Sequence, residues 1–316
     1  MNVPRGDRAA SVPPARGRAV GRRRALAALS ALAAAPLGAA RPAFAQAPDG
    51  WPAIVASPGE SMPGKWVWHE LLSVDPDRAA AFYSTVFGWS IVRRGGGERA
   101  YRLARLDGRP VAGLLRIADG RDGRRPASRW IGLLSVADVD AAIDRVVADG
   151  GARLVAPTLQ LGRGRVALVA DPEGAPFGLI RSLDGDPPDA APIAGDWAWR
   201  ELWARDGARM AAWYRGLGGY VARRLSTRDD RDEWLLAHGE QPRAGVVARL
   251  DAVRSSAWLP YLRVAALGPS LAAVQAAGGR VLLEPSAQRR GGRTAIVEDP
   301  TGAPFGLVQP NGEGTP

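Results

Sequence analysis

An apolar segment followed by helical periodicity opens the patterned part of the chain. Trp66–Ser73 is an apolar run, and Asp75-Pro76 follows it, a pair suited to cap a helix and to occupy its first position. Apolar side chains then recur at helical spacing as far as Gly88, a residue type that ends helices. The pattern predicts a strand and then a helix, whose buried face consists of Ala79, Phe82, Tyr83, Val86 and Phe87.

The same order recurs further along the chain. Trp130–Val136 is followed by Asp138, an apolar stripe at helical spacing, and Gly150-Gly151. Three apolar runs separated by turn residues follow each helix, and we predict them as strands. They are Ser90–Arg94, Ala100–Leu106 and Pro110–Ile117, then Arg153–Ala156, Arg165–Ala170 and Pro176–Arg181. Each half of the region therefore predicts one βαβββ unit.

A long internal repeat doubles this arrangement. Trp66–Leu71 recurs as Trp197–Leu202, and Asp171–Ile180 recurs as Asp299–Val308. Two matches in the same order indicate a duplication. We predict an α+β protein of four βαβββ units, which form two domains with curved mixed sheets, at residues 61–183 and 195–310. The Pro- and Asp-rich stretch 184–194 is the predicted linker between them.

These segments resemble the vicinal oxygen chelate superfamily, which includes glyoxalases, bleomycin-resistance proteins and ring-cleaving dioxygenases. The resemblance rests on the Trp66–Glu70 strand, the capped helix with Phe82-Tyr83, and the Asp-Pro-x-Gly-Ala-Pro-Phe-Gly-Leu segments. It implies two domains, each with a concave sheet face open to a ligand. It does not select a reaction, because one fold serves many chemistries.

The first 45 residues have the order of an export signal. An Arg-rich segment ends in three consecutive arginines, an Ala/Leu run follows, and Ala43-Phe44-Ala45 supplies a small-x-small cleavage site. We interpret residues 1–45 as a twin-arginine-like signal peptide and residues 46–60 as an N-terminal linker. We expect a periplasmic or secreted protein with no membrane span after cleavage.

Charge and cysteine usage narrow the possible partners. Residues 1–45 carry eight of the 42 Lys and Arg residues and one of the 32 Asp and Glu residues, so most of the net charge of +10 lies in the leader. The remainder is only weakly basic, which argues against nucleic-acid binding. The chain has no cysteine, which excludes disulfides, thiolate nucleophiles and cysteine-ligated metals.

The chelating residues that the resemblance implies are mostly missing. Metal-dependent members place His in the first strand of a unit and Glu in the last strand. The matching positions here are Trp68 or His69, Ile131 and Gly178 in the first copy, and Trp199 or Arg200, Leu259 and Gly306 in the second. We therefore predict no cofactor. An unusual divalent-metal site built from His69, Glu70 and water remains a disfavoured alternative.

Candidate site residues come from the repeated first strand. Strand alternation puts Trp66, Trp68, Glu70 and Leu72 on one face, which we assign to the concave side. Glu70 and its counterpart Glu201 are the candidate catalytic residues, either as general bases or as ligand contacts. The alternative is a carboxylate paired with an arginine, for which Arg165 is a candidate. The predicted ligand-binding residues are Trp68, His69, Trp130, Arg165, Trp199, Trp258, Tyr261 and Arg293.

Three functional hypotheses remain open from the sequence. The first is an exported, metal-independent protein that binds a small molecule on the concave face. The second is a lyase, isomerase or dioxygenase that uses Glu70 or Glu201. In the third, one copy binds the ligand and the other is a packing partner. The predicted partner in each case is a small molecule, and the chain could act as a monomer whose two domains form a pseudo-dimer.

Overall fold

The computed structural model describes residues 51–54, 59–98, 100–117, 127–225, 232–248, 256–287 and 290–310. The predicted signal peptide at residues 1–45 lies outside these ranges, as does part of the predicted linker at residues 46–60. None of the helices in the described ranges has the length and apolarity needed to cross a membrane.

The first copy contains two βαβββ units, as the sequence predicts. The elements of the first unit are β1 (Trp66–Ser73), α1 (Pro76–Phe87), β2 (Ser90–Arg94), β3 (Tyr101–Leu106) and β4 (Arg109–Arg116). Those of the second unit are β5 (Arg129–Ser135), α2 (Val139–Ala148), β6 (Ala152–Gln160), β7 (Gly164–Ala170) and β8 (Pro176–Ser182).

The second copy repeats this order. Its third unit consists of β9 (Trp197–Ala204), α3 (Gly207–Gly218), β10 (Val221–Leu225), β11 (Glu233–His238) and β12 (Gln241–Ala248). Its fourth unit consists of β13 (Ala257–Arg263), α4 (Leu267–Ala276), β14 (Arg280–Leu283), a short turn at Arg290–Gly292, β15 (Thr294–Glu298) and β16 (Pro304–Val308).

The predicted capping residues lie at the two ends of the first helix. The Asp75 side chain accepts a hydrogen bond from the backbone N–H of Arg78 at 3.0 Å, and Gly88 adopts a left-handed φ of 73°. Asp206 caps α3 in the same way, accepting from the backbone N–H of Arg209 at 3.0 Å. The starts of α1 and α3 thus follow from local capping chemistry, whereas α4 begins after Ala266 without a side-chain cap.

Each copy forms one eight-stranded mixed sheet. The strand orders are β2-β3-β4-β1-β5-β8-β7-β6 and β10-β11-β12-β9-β13-β16-β15-β14. In each sheet the first strands of two units pair antiparallel at the centre, as β1 with β5 and β9 with β13. Within a unit, the first and last strands run parallel, as β1 with β4. The predicted fold class is confirmed.

The four helices lie between the two sheets. One apolar core joins α1 of the first copy to α4 of the second and includes Phe82, Val274 and Phe305. A second core joins α2 to α3 and includes Val146 and Met210. The two copies therefore bury their helix-bearing faces against each other, and both helix-free concave faces point outward.

Two tyrosine relays cross between the copies. In the first, the Trp130 indole donates to the Tyr83 hydroxyl at 2.8 Å, and Tyr83 donates to Asp299 of the second copy at 3.2 Å. In the second, Trp258 donates to Tyr214 at 2.8 Å, and Tyr214 donates to Asp171 of the first copy at 3.0 Å. The repeated Asp-Pro turn thus serves in part to join the copies.

The predicted linkers are partly tied to the domains and to each other. Asp186 is buried and accepts hydrogen bonds from the Ser135 and Ser182 hydroxyls at 2.6 and 3.0 Å. The backbone N–H of Gly59 donates to the carbonyl of Asp184 at 2.8 Å. These two segments therefore pack as parts of the fold, because their polar groups have partners in it.

Candidate functional site

The concave face of the first copy carries the predicted Trp68, Glu70 and Leu72. A β-bulge in the pairing of β1 with β5, between Trp66 and Trp68, changes the alternation. Trp66 consequently packs in the helix-side core, with its ring 4.5 Å from that of Trp258. Its predicted place on the concave face is wrong for this physical reason.

Glu70 lies at the centre of a buried polar cluster. It accepts a hydrogen bond from the Trp68 indole at 2.8 Å and one from the Tyr101 hydroxyl at 3.0 Å. Arg163, fully buried, donates to Glu70 and, at 2.7 Å, to the Tyr101 hydroxyl. Burial raises the pKa of Glu70, and the Arg163 guanidinium opposes that shift. Glu70 is therefore paired with an arginine, as the alternative interpretation predicts, but the partner is Arg163 instead of Arg165.

A segment of the chain's own N-terminal region, Trp51–Ile54, covers this cluster. Trp51 and Ile54 are 6% and 3% exposed and pack with the concave-face side chains. The Trp51 ring lies edge-on to Tyr101, with centroids 5.3 Å apart, and the Arg163 guanidinium lies 4.7 Å from its centroid. We call Trp51–Ile54 the strap.

One backbone hydrogen bond and one side-chain hydrogen bond hold the strap to the turn before β7. The Trp51 N–H donates to the Leu161 carbonyl at 2.8 Å, and Arg163 Nε donates to the Pro52 carbonyl at 3.2 Å. Gly162, with a φ of 85°, allows the approach, because a Cβ at this position would collide with the Trp51 carbonyl. The strap closes the concave face of the first copy.

The second copy holds a matched carboxylate, Glu201, with different neighbours. Glu201 accepts from the Tyr261 hydroxyl at 2.6 Å and from the Trp203 indole at 3.3 Å, and it pairs with Arg290. Although burial acts to raise it, the pKa of Glu201 is lowered, because Arg290 and these hydrogen-bond donors stabilise the charged form. Glu201 is therefore held as a carboxylate.

Arg290 reaches Glu201 from a turn with an unusual backbone. Its φ is 45°, in the left-handed region that residues with a Cβ rarely adopt. The guanidinium lies 6.0 Å from the Trp199 ring centroid, as Arg163 lies 5.3 Å from that of Trp68. Arg290 thus repeats the role of Arg163 in the second copy.

The two concave faces differ in exposure. The side chain of Arg163 is 0% exposed, whereas that of Arg290 is 39% exposed. Trp68 is buried, while Trp199, its counterpart, is half-buried. The apolar cluster on the second face, in the described ranges, contains no segment corresponding to the strap. The second copy consequently presents the more open face.

Glycines occupy the concave positions of the last strands. Gly113 and Gly245 pair with Glu70 and Glu201 in the register, and Gly178 and Gly306 hold the matching positions on β8 and β16. A Cβ at Gly178 would collide with Leu133, and one at Gly306 would meet the Tyr261 ring. Neighbouring side chains therefore fill the space into which a metal-ligating side chain on these strands would project.

The site residues do not fit the superfamily's metal. Within the described residues, no group of three or more His, Cys, Asp or Glu side chains is placed to hold an ion. The alternative site from His69 and Glu70 also fails geometrically, because these neighbours project to opposite faces of β1. We assign no step to a metal.

Comparison with known proteins places this geometry in a family. A family model described as a glyoxalase-like domain matches residues 68–180. The anthracycline biosynthesis protein DnrV of Streptomyces peucetius is 30% identical over 262 residues, covering 78% of this chain and 94% of that protein. The chain belongs to the glyoxalase-like family. CFP32 of Mycobacterium tuberculosis (strain CDC 1551 / Oshkosh) is 29% identical over 248 residues, covering 77% and 94% of the two chains.

A solved structure supports the fold of this glyoxalase-like chain. The Mn(II)-bound glyoxalase from Novosphingobium aromaticivorans aligns with a TM-score of 0.54 at 16% identity, covering 79% of this chain and 83% of that one. At this identity the likeness concerns architecture. The predicted membership of the vicinal oxygen chelate superfamily is confirmed.

Several predicted ligand-binding residues of this glyoxalase-like protein lie on the helix side. His69 is 3% exposed and stacks on Trp197 with centroids 4.2 Å apart. Burial holds the pKa of His69 well below its ordinary value, and the nearby Arg200 adds to the effect. Trp130 and Trp258 are the donors of the two tyrosine relays. None of these three belongs to the concave-face clusters.

The two predicted arginines are also placed elsewhere. Arg165 forms a bidentate pair with Asp140 of α2 at 2.6 and 2.8 Å, on the helix side of β7. Arg293 holds the matching position before β15, in phase with the helix-side Ala295. Trp68, Glu70, Trp199, Glu201 and Tyr261 do lie on the concave faces. Their functional roles stay predictions.

Four residues that shape the two faces are absent from the predicted set: Trp51, Tyr101, Arg163 and Arg290. Arg163 and Arg290 stand in Gly-rich turns, two and three residues before the predicted Arg165 and Arg293. The recurrence of an additional arginine in both turns was the available signal. No comparable signal marks Trp51 as a covering residue.

Proposed function

We propose that this glyoxalase-like protein is exported and binds a small molecule on the concave face of its second copy, without the metal usual in the superfamily. The observation that carries the proposal is the set of glycines on the last strands. Adjacent side chains fill their concave positions, so the fold is retained while the chelating positions are not.

The open face offers binding groups instead of chelating groups. The half-buried Trp199 supplies an aromatic wall, and Arg290 supplies an exposed cation fixed by Glu201. Aromatic walls and one anchored charge suit a flat ligand with a polar edge. The strap covers the equivalent groups of the first copy, which favours one binding copy and one packing copy.

The electrostatics argue against general-base catalysis by either glutamate. The pKa of Glu201 is lowered by its ion pair with Arg290, whereas a base working near neutral pH needs a raised one. Glu70 has a raised pKa, but it is fully buried, paired with Arg163 and covered by the strap. Binding is therefore the function that we favour over the lyase, isomerase or dioxygenase alternative.

The relative DnrV suggests a first probe, since its name assigns it to anthracycline biosynthesis. An anthracycline would be titrated calorimetrically into protein purified from the exported fraction, with and without EDTA. We expect one binding event per chain that the chelator leaves unchanged. Stoichiometric Fe, Mn, Ni or Zn in the purified protein, lost when His69 or Glu70 is substituted, would overturn the metal-free proposal.

Export has a separate test. The double substitution Arg22→Lys, Arg23→Lys changes the arginines of the leader without changing its charge. We expect the unchanged protein in the periplasmic or secreted fraction and the variant in the cytoplasm. Equal cytoplasmic retention of both proteins would contradict export.

A further inference from the structure

The strap shows what the concave face of the first copy accepts. It presents a flat indole and a neutral carbonyl oxygen in adjacent residues, Trp51 and Pro52. The indole lies against the Arg163 guanidinium, 4.7 Å from its carbon to the ring centroid, and edge-on to Tyr101. The carbonyl accepts a hydrogen bond from Arg163 Nε at 3.2 Å. One arginine thus contacts both parts of the occupant.

The second copy has the same arginine with its donors largely unused. Arg163 donates to Glu70, Tyr101 and the Pro52 carbonyl. Within the described residues, the hydrogen bonds of the Arg290 side chain are limited to that with Glu201. In the first copy, the Pro52 carbonyl of the strap accepts from Arg163. In the second copy, the corresponding N–H groups of the exposed Arg290 guanidinium are therefore available to a ligand.

A second unused donor lies on the same open face. The Trp199 indole N–H is buried and, among the described residues, has no hydrogen-bond partner, whereas the matching Trp68 N–H donates to Glu70. The Trp199 nitrogen lies 3.4 Å from where a Cβ of Gly245 would be, so it projects over the concave surface of β12. A buried donor without a partner is costly, and a ligand oxygen would satisfy it.

The charges on the concave face of the second copy determine whether a neutral or a charged oxygen acceptor binds better there. Glu233 holds the register position of Tyr101, so a carboxylate replaces a phenol beside the arginine. Glu201 and Glu233 both raise the pKa of Arg290, so two carboxylates already act on its guanidinium. A neutral carbonyl is therefore a better partner for this face than a carboxylate.

We infer that the open face of the second copy binds a flat aromatic ring bearing a neutral carbonyl next to the ring, the chemistry that Trp51–Pro52 presents to the first copy. The ring stacks beside Arg290 and Trp199, and the carbonyl accepts from their N–H groups. This inference rests on the proposed binding function and names the ligand class for that same face.

Matched probes separate the two parts of the inferred ligand. Indole-3-acetamide carries ring and carbonyl, 3-ethylindole carries the ring alone, indole-3-acetate adds a negative charge, and acetamide lacks the ring. Each would be titrated calorimetrically into the full chain. We expect indole-3-acetamide to bind at least about tenfold more tightly than each of the other three, the factor expected for one charge-assisted hydrogen bond.

Variants connect this preference to the open face. Arg290→Gln and Trp199→Phe should each reduce the affinity for indole-3-acetamide, by about tenfold for the arginine, and leave that for 3-ethylindole nearly unchanged. The matched control is Arg223→Gln, which changes an exposed arginine on the edge strand β10 that pairs with Glu240. This variant should bind indole-3-acetamide like the unchanged protein. Thermal melts of all three variants verify that they are folded.

The outcomes distinguish this inference from the proposed function. Equal binding of indole-3-acetamide and 3-ethylindole, or a preference that survives in folded Arg290→Gln protein, would overturn the ligand class. If an anthracycline binds the chain while indole-3-acetamide does not, the proposed function stands and the inference fails. If indole-3-acetamide binding is abolished by EDTA and restored by a divalent metal, the inferred donors are not responsible and the metal-free proposal fails too.

Discussion

The Tyr214 hydroxyl of the second copy donates a hydrogen bond to the Asp171 carboxylate of the first copy, with 3.0 Å between the two oxygens. Trp258 donates to the same hydroxyl. Tyr83 and Asp299 repeat this arrangement with the copies exchanged. The strongest repeated motifs of the chain therefore join its two halves to each other instead of binding a ligand.

Tyr214→Phe should destabilise the protein without altering its fold. The substitution leaves the Trp258 N–H and the Asp171 carboxylate buried without this partner, so we expect the free energy of unfolding to fall by about 1–3 kcal/mol. Urea denaturation followed by far-UV circular dichroism measures the change. Val147→Ala, at an exposed position of α2, is the control, with a change below about 0.5 kcal/mol. Equal stability of the Phe variant and the control would contradict a joining role.

The buried aspartates of the two relays, Asp171 and Asp299, should make the stability of the protein depend on pH. Burial raises the pKa of Asp171 to about 6 and also raises that of Asp299. Between the unfolded pKa of Asp171, near 4, and its folded pKa of about 6, the folded chain holds a proton that the unfolded chain has released, and the raised pKa of Asp299 acts in the same direction. The contribution of the two aspartates to the free energy of unfolding should therefore rise as the pH is lowered from 7 towards 4, whereas buried His69, whose pKa is held below its ordinary value, contributes with the opposite sign.

Substitution of Asp171 tests the origin of this effect. Asp171→Asn should remove the Asp171 part of this rise, so the urea midpoint of the unchanged protein minus that of the variant should increase as the pH is lowered from 7 to 4. Below about pH 4 we expect the opposite trend, because Arg243 and Lys65 hold the pKa of Asp189 at about 2 and its stabilisation is lost on protonation. An Asn variant with an unchanged pH profile would assign the rise to other groups.

The two glutamate–arginine pairs should respond differently to loss of the arginine. Arg163→Met leaves Glu70 buried without a counter-charge, and we expect a loss of about 3–5 kcal/mol in the free energy of unfolding. Arg290→Met should be less destabilising, since Arg290 is partly exposed and water can reach its partner's vicinity. The double variant Glu70→Gln, Arg163→Met should recover part of the loss. Equal losses of unfolding free energy for the two single variants would refute the idea that burial of the arginine determines its contribution to stability.

Removal of the Trp51 ring from the strap should expose a second binding face, that of the first copy. Trp51→Ala removes the ring that covers Arg163 and Tyr101, so the binding stoichiometry for indole-3-acetamide should rise from one to two per chain. The free energy of unfolding should fall by about 3–5 kcal/mol, as for other buried Trp-to-Ala changes. Ile193→Ala, at an exposed position in the linker, is the control. A stoichiometry that stays at one in the folded variant would show that the strap does not block a site.

The architecture could be predicted from the sequence because local signals and the core pattern agree. Asp75 and Gly88 bound α1 by capping chemistry that requires no tertiary contact. The turn at Asp171 follows in the same way from a Pro and a Gly at fixed offsets. The internal repeat then doubles every such element, so an interpretation of one copy can be checked against the other.

The candidate site was harder to predict because its partners are distant in the chain. Arg163 meets Glu70 only when β7 and β1 lie in one sheet, and no periodicity records that contact. Trp130 and Trp258 lie on the helix side, a placement that the sequence does not indicate because β5 and β13 are buried on both sides and alternation there carries no polarity signal. The bulge that turns Trp66 is likewise a tertiary feature.

The strap also bears on the order of folding. Its contact with Arg163 joins residues 111 positions apart, so it closes a very long loop and can form only after β7 has been synthesised and placed. Contacts of such separation are entropically costly until the intervening chain is ordered. We expect the face of the first copy to stay open during folding and to be sealed as one of the last steps, which gives a ligand present at that moment a chance to enter before the chain's own tryptophan.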